Sequence, residues 1–420
     1  MPNKRVTITT STTANSPTLH KLVSIFPCSH DKVQWYHWWI HDQIQRQPRQ
    51  LFSTLQGYDS KKDDGWMDSF LFMWQEISQY MIAATSVKID DVVAHLQESD
   101  ILGLESDPNA LIAAKNLIFA VIGWQTMLYQ ADMHSCPPDQ LAIQNEMGAH
   151  TGQAHMCLKQ SHSACGRKLH EFLLGYGLLL PPQNFDGLGS PEEKKAFAEY
   201  KSVAPASFNA YILSSIGDVT IEWVDSLSCH MEFDSYLNKL FLFRYPSFCL
   251  ANIPSESKHS PKSAIYSCAA SWESTGQWAT TGDVTQMLQE TILSYRLLFG
   301  QNKASRQLFQ NLKPFENIPE GGRDLFLKQL CGKKCYPTDS NGLERESYDL
   351  PRDFPILRSR LVALLCHLST KKPRTWKELW EDKRDSASWL TFWAVAVIGG
   401  LGLILALLQT ILQIVQVTQH

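Results

Sequence analysis

The side chains most suited to chemistry are His and Cys residues concentrated between His134 and His170. They are His134, Cys136, His150, His155, Cys157, His162, Cys165 and His170. Zinc prefers thiolate and imidazole ligands, commonly supplied by paired residues a few positions apart. The pairs here are His134 with Cys136, His155 with Cys157, and His162 with Cys165. These six residues are the metal ligands that the sequence predicts, with zinc as the cofactor.

A simpler interpretation is that these His and Cys residues lie in the core or on the surface without metal. The region contains no C-x-x-C motif, the usual anchor of a structural zinc site. The chain also has no G-x-S-x-G, Walker A, Rossmann or H-E-x-x-H motif, so no catalytic or cofactor-binding residue is assigned. The sequence favours a protein that is not an enzyme. A membrane-tethered zinc-dependent enzyme is the alternative.

Composition narrows the class of protein. The chain has 420 residues, a formal net charge of −4 and 44% hydrophobic residues. This charge gives no basic face for non-specific nucleic-acid binding, and a mean hydropathy of −0.21 excludes a polytopic membrane protein. The Ser/Thr-rich residues 1–20 lack the apolar core of a signal peptide and are expected to be disordered. Ten scattered cysteines are then expected to be reduced thiols of a cytosolic domain.

Helix signals recur along residues 21–369, which are predicted to form one mainly helical cytosolic domain. Apolar residues three and four apart predict a helix from Trp66 to Ala83. Asp107 before Pro108 predicts the start of another helix. The aspartate side chain can accept a hydrogen bond at the N-cap, and proline is favoured at the first helical position. A third helix is expected to begin near Asp283.

Residues 219–249 show a different pattern. VTIEWV (219–224) and KLFLFRYPSFC (239–249) are rich in β-branched or aromatic residues, and CHMEFD (229–234) alternates apolar with polar residues. The segment DSYLNK (234–239) supplies a turn. The predicted fold class is therefore mainly α with a small antiparallel β meander, followed by one C-terminal transmembrane helix.

The transmembrane helix is predicted from residues 389–408, where Thr391 is the only polar residue. Twenty apolar residues in a helix match the hydrocarbon thickness of a bilayer. Trp389 and Trp393 lie at its start, where aromatic rings favour the headgroup boundary. A buried core helix is the alternative, but such a helix would carry polar residues along its outer face. We therefore expect the bilayer to surround this segment as far as Leu408.

Basic residues precede the predicted span, and none follows it. The juxtamembrane segment 370–388 contains Lys371, Lys372, Arg374, Lys377, Lys383 and Arg384, whereas residues 409–420 contain no Lys or Arg. The positive-inside rule places the N-terminal domain in the cytosol and His420 across the membrane. The chain is thus expected to be a single-pass, tail-anchored membrane protein. The flanking residues do not indicate which organelle.

Two further patterns occur near the C-terminus. Gln409, Gln413 and Gln416 would form one polar stripe on a helix, so residues 409–420 are expected to leave the hydrocarbon as an amphipathic tail. Small residues repeat at small-xxx-small spacing, which lets two helices approach closely. The two small pairs are Ala396 with Gly400, and Gly402 with Ala406. They predict a homodimer through the transmembrane helix.

The segment ELWEDKRDSASWLTFWAVAVIGGLGLILALLQTILQIVQ (378–416) resembles the C-terminal segment of an uncharacterised family of filamentous-fungal proteins with a transmembrane anchor. Upstream stretches that resemble the same family include IFAVIGWQTMLY, HEFLLGYGLLLP, IEWVDSLSCHMEFD, LFRYPSFC and SYRLLFGQ. The resemblance implies a fungal, membrane-anchored protein and brings no assigned activity or catalytic residue. We expect an interaction or regulatory module that is presented to the cytosol.

Overall fold

The computed structural model of the chain describes residues 34–58, 66–103, 108–137, 139–148, 150, 152–185, 191–254, 263–270, 278–333, 345–371 and 386–418. The segment 1–20, most of the basic segment 370–388, and His420 lie outside these residues. The described part is mainly helical, with small sheets and one apolar helix at the C-terminus, which confirms the predicted fold class.

The helices follow one another through the domain with short strands between them. In chain order the helices are α1 (Gln34–Arg46), α2 (Trp66–Ala83), α3 (Ile89–Glu98), α4 (Pro108–Thr126), α5 (Leu169–Leu174), α6 (Pro191–Glu199), α7 (Ala210–Ser215), α8 (Pro246–Asn252), α9 (Thr281–Tyr295), α10 (Lys303–Leu312), α11 (Leu325–Leu330), α12 (Leu350–Asp353), α13 (Arg358–Thr370) and α14 (Ser386–Thr418). The strands are β1 (Gln140–Ala142), β2 (Lys159–Ser161), β3 (Ser202–Val203), β4 (Thr220–Val224), β5 (Phe233–Asp234), β6 (Lys239–Phe243) and β7 (Tyr348–Asp349).

One large hydrophobic core extends from Trp35 to Leu368, and a second, small cluster contains Met147, Val224, Cys229 and Phe241. Helix α4 lies at the centre of the large core, because every residue from Leu117 to Gln130 is buried. Aromatic rings join distant elements to this core. The ring of Trp35 on α1 stacks on that of Tyr245, with ring centroids 4.1 Å apart. Because burial of such rings removes large apolar areas from water, these contacts contribute strongly to the stability of the domain.

Helix boundaries follow local signals closely. Helix α2 begins at Trp66 and ends at Ala83, as predicted, and α4 begins at Pro108. The helix expected near Asp283 is α9, whose N-cap is Thr280. The Thr280 hydroxyl accepts from the Asp283 N–H at 3.3 Å, and Asp283 Oδ2 accepts from the Thr280 N–H at 2.7 Å. This reciprocal capping satisfies two N–H groups that the first helical turn leaves without intrahelical partners.

The sheet in residues 219–249 has the strand order β4-β6-β5. Strand β5 pairs antiparallel with β6 across a tight hairpin, as predicted. Strand β4 pairs parallel with β6, with Ile221 opposite Leu240, and so departs from the predicted antiparallel meander. Residues 229–232, expected to alternate between the core and solvent, are all buried and lie outside the strands. Helix α13 explains the difference, because its Arg360 contacts the polar side of this segment.

Candidate functional site

The three histidines among the predicted metal ligands, His134, His155 and His162, each contact a different kind of group. The Nε2 atom of His134 lies 2.9 Å from the carbonyl oxygen of Arg46. His162 Nε2 lies 2.9 Å from the side-chain oxygen of Asn116. His155 is fully buried, and its Nε2 atom lies 3.6 Å from the sulfur of Cys229. Each imidazole therefore has a partner other than the neighbour with which it was paired in sequence.

The predicted cysteine ligands are equally dispersed. Cys136 donates to the carbonyl of Gln140 at 2.8 Å, and the exposed Cys157 donates to the carbonyl of Lys159 at 3.0 Å. Cys165 is buried, and burial raises its thiol pKa to about 12. Within the described ranges, no three His, Cys, Asp or Glu side chains are grouped so that they could hold a metal ion. The zinc site stays a prediction.

The structure instead brings together a buried polar cluster that the sequence did not indicate. Arg360 of α13 forms an ion pair with Glu232, with Nη2 3.0 Å from Oε1, and the two side chains are only 3% and 5% exposed. Arg360 also donates to the carbonyl of His230. Glu232 Oε1 accepts from the backbone N–H of Ala154 at 3.1 Å. One ion pair thus joins α13, the segment before β5 and the loop before β2.

His150 extends this cluster towards the surface. Its two ring nitrogens lie 4.0 Å from Glu232 Oε2 and 4.0 Å from Asp234 Oδ2. The imidazole also stacks on Phe241, with centroids 6.1 Å apart. At Gly152, a Cβ atom would collide with the Glu232 carboxylate and the His150 ring. Glycine is therefore required where this loop passes over the carboxylate.

Two buried histidines beside Arg360 are held neutral. The pKa of His155 is lowered to about 4 and that of His230 to about 3. Burial is the larger cause in both, and the positive charge of Arg360 is the smaller one. The N–H of Phe243 donates to His230 Nδ1 at 3.2 Å. The proton of His230 is thereby assigned to Nε2, which lies 2.8 Å from the hydroxyl oxygen of Ser294. The ring acts as a fixed hydrogen-bond bridge between β6 and α9.

Cys229 beside His155 has the residue types of a nucleophile and its base. Both residues are completely buried, however, and burial raises the pKa of the Cys229 thiol well above its ordinary value. A reactive cysteine needs thiolate character and access for a substrate. The pair has neither in this conformation, so we describe it as part of the packed core.

Two other buried carboxyl groups bind backbone N–H groups. Glu290 of α9 accepts from the N–H groups of Ile356 and Leu357, and burial raises its pKa to about 8. Asp324 accepts from the N–H of Ser247 at 2.7 Å, and burial raises its pKa to about 7. These contacts satisfy N–H groups that burial would otherwise leave without partners. Their role is to fix chain segments at the ends of α13 and α8.

A small, open cleft lies beside α5. Apolar side chains dominate its wall, with His170 and Trp278 at one side. The two rings meet edge to face, with centroids 5.8 Å apart. This arrangement provides an apolar surface but no set of groups that would define a reaction.

Helix α14 is the described element whose length and composition indicate a function most directly. It continues without a break from Ser386 to Thr418, and its residues Trp393–Ile414 have a mean hydropathy of 2.4 with none of that segment buried. Twenty-two helical residues extend about 33 Å, close to the hydrocarbon thickness of a bilayer. By length and composition, this helix can cross a membrane. The alternative of a buried core helix does not agree with its exposed apolar side chains.

The helix also shows where its small and polar residues lie relative to one another. One stripe repeats at spacings of three and four residues and contains Gly399, Gly402, Ala406, Gln409, Gln413 and Gln416. At 100° per residue, the pair Ala396 and Gly400 points about 120° away from the pair Gly402 and Ala406. The two predicted small-residue pairs therefore lie on different faces. Gln409 and Gln413 fall within the apolar segment Trp393–Ile414, which therefore extends beyond Leu408, the predicted end of the span and start of an amphipathic tail.

Comparison with protein families, curated proteins and solved structures found no match. The class of protein is therefore defined by the structure alone. It is a mainly helical domain followed by one C-terminal helix of membrane-spanning length and composition.

Proposed function

We propose that the chain is a single-pass membrane protein, held in the bilayer by α14. The observation that carries the proposal is the 22-residue segment Trp393–Ile414, which has a mean hydropathy of 2.4 and of which no part is buried inside the described structure. Such a surface is costly in water and favourable in hydrocarbon. The proposal also places the chain with the membrane-anchored fungal proteins that it resembles.

The helical domain is proposed to lie in the cytosol and to act there as an interaction or regulatory module. The basic residues between Lys371 and Arg384 support this orientation, since Lys and Arg beside a span favour the cytosolic side. The opposite flank, after Ile414, carries neither residue type.

The proposed partner within the membrane is a second copy of the chain. Gly402 and Ala406 would allow close approach, and Gln409 and Gln413 on the same face would hydrogen-bond across the dimer. A glutamine amide carries two N–H donors and a carbonyl acceptor, which need partners in hydrocarbon. This arrangement favours the stripe through Gly402 over the face through Gly400 as the dimer interface.

Localisation of a fluorescent fusion tests the anchor. The full chain is expected to label an intracellular membrane, and the same fusion without residues 389–420 to be diffuse. A C-terminal epitope tag should be protected from protease in intact membranes, whereas an N-terminal tag should be digested. Equal localisation of both fusions contradicts the anchor, and digestion of the C-terminal tag contradicts the orientation. Protein co-purification with the full chain then identifies cytosolic partners.

A further inference from the structure

The β5–β6 hairpin ends in two apolar side chains that the domain leaves exposed. Tyr236 is 96% exposed and Leu237 is 55% exposed. In the described domain before α14, they are the only large exposed apolar residues that are adjacent in sequence. Scattered single residues of this kind are normal, whereas a contiguous pair at a projecting turn indicates a contact surface.

The turn that carries these residues is fixed by hydrogen bonds. The buried carboxylate of Asp234 accepts from the N–H groups of Tyr236 at 2.8 Å and Leu237 at 3.1 Å. Asn238 adopts a left-handed conformation, with φ of 52°, and its carbonyl accepts from the N–H of Thr220 at 2.8 Å. Residues 235–238 contain no charged side chain. The turn therefore holds two apolar side chains outward with little further loss of conformational entropy on binding.

The hairpin lies beside the point where the domain ends. The Phe233 ring at its base meets His367 of α13 edge to face, with centroids 4.8 Å apart. His367 Nε2 lies 2.8 Å from the carbonyl oxygen of Gly217, which fixes the last turn of α13 on the loop before β4. Tyr236 is three residues from Phe233, and Thr370 is three residues from His367. Both therefore lie within about 10 Å of this contact.

We propose that Tyr236 and Leu237 dock into the headgroup layer of the bilayer that α14 crosses. This inference rests on the proposed function. Fifteen residue steps separate Lys371 from Ser386, a connection that reaches at most about 50 Å. The anchor thus keeps the hairpin at high effective concentration near the bilayer, so that two side chains suffice for contact. A tyrosine beside an aliphatic residue on an uncharged turn suits the boundary between headgroups and acyl chains.

Photo-crosslinking in a defined bilayer tests the proposal. The full chain carrying Tyr236→p-benzoylphenylalanine is reconstituted into dioleoyl phosphatidylcholine vesicles, irradiated and analysed for lipid adducts by mass spectrometry. The matched control is Phe72→p-benzoylphenylalanine. Phe72 is 53% exposed on α2, a helix that packs on α3 and α4 rather than on the sheet. Lipid adducts at position 236 are expected to exceed those at position 72 several-fold.

Alkaline carbonate washing of the same vesicles tests the membrane anchor independently of the crosslinking, which tests the hairpin contact. A chain that resists washing but gives equal adducts at both positions contradicts the hairpin contact alone. Adducts at position 236 that join protein to protein also contradict it and identify a protein partner instead. A chain that the wash removes contradicts the anchor, and the hairpin proposal then fails with it.

Discussion

Arg360 and Glu232 form an ion pair inside the domain, with Nη2 3.0 Å from Oε1 and both side chains almost completely buried. The two residues come from α13 and from the segment before β5, so their contact joins the end of the domain to the central sheet. Ala154 and His230 contribute the backbone groups that complete the cluster. This position makes the pair a determinant of how α13 is held against the rest of the domain.

Removing the arginine is expected to destabilise the domain. Arg360→Ala leaves Glu232 buried without its charge partner, which should lower the free energy of unfolding by about 3–5 kcal/mol. The control is Lys195→Ala, which breaks the exposed Lys195–Glu199 pair and should change that free energy by less than about 1 kcal/mol. Denaturant titration followed by circular dichroism measures both. Equal effects of the two substitutions would show that the buried pair does not stabilise the fold.

Glu290 predicts a specific dependence of stability on pH. Burial raises its pKa from 4.5 to about 8. Between these values the folded protein retains a proton that the unfolded chain has released, so the free energy of unfolding falls as pH rises through this window. Glu290→Gln mimics the protonated carboxyl and should reduce this fall. The exposed Glu316→Gln variant should keep the slope of the natural protein, and an unchanged slope in Glu290→Gln would contradict the prediction.

Thiol labelling distinguishes the packed cysteines from the exposed one and also tests the predicted zinc site. Cys157 is exposed, whereas Cys165, Cys229 and Cys268 are buried with raised pKa values. Because the thiolate is the reactive form, an alkylating reagent should modify Cys157 before the other seven cysteines that the structure describes, in the native protein without a chelator. Mass spectrometry of digested protein identifies the site. Protection of Cys157 that a chelator removes would instead support the predicted zinc site.

The two faces of α14 predict different effects on self-association. Gly402→Ile should weaken the dimer by preventing close approach, and Gln409→Leu should weaken it by about 0.6–2 kcal/mol through the lost hydrogen bonds. Gly400→Ile adds the same bulk on the other face and serves as the control. Energy transfer between labelled chains in vesicles gives the dissociation constant. An effect of Gly400→Ile as large as that of Gly402→Ile would move the interface to the other face.

Local sequence signals predicted much of the helical fold. The apolar spacing from Trp66 to Ala83 defines α2, and the proline at position 108 begins α4. These features depend on residues within a few turns of one another, which is why the sequence reveals them. The uncharged stretch after Trp389 identified α14 for the same reason.

The buried cluster could not be predicted in this way. Glu232 and Arg360 are far apart in the sequence and have no spacing that relates them, and the alternation in residues 229–234 indicated a half-exposed strand. Tertiary packing of α13 overrides that local pattern, because Arg360 supplies the charge that lets Glu232 be buried. The His and Cys pairs show a related effect, and the zinc site that they predict stays a prediction. Closeness in sequence does not bring side chains together when each finds a partner elsewhere, as His162 does with Asn116.

Alkaline carbonate extraction of cell membranes tests the membrane anchor most directly. The full chain is predicted to stay in the membrane pellet, and so is the control Leu325→Arg, which places a charge on an exposed residue of the domain. The double variant Leu403→Arg, Leu407→Arg should be extracted, because each arginine near the middle of the span costs about 2.5–3.5 kcal/mol on insertion. Extraction of the full chain, or retention of the double variant at the level of the full chain, would contradict the assignment of α14 as a membrane anchor.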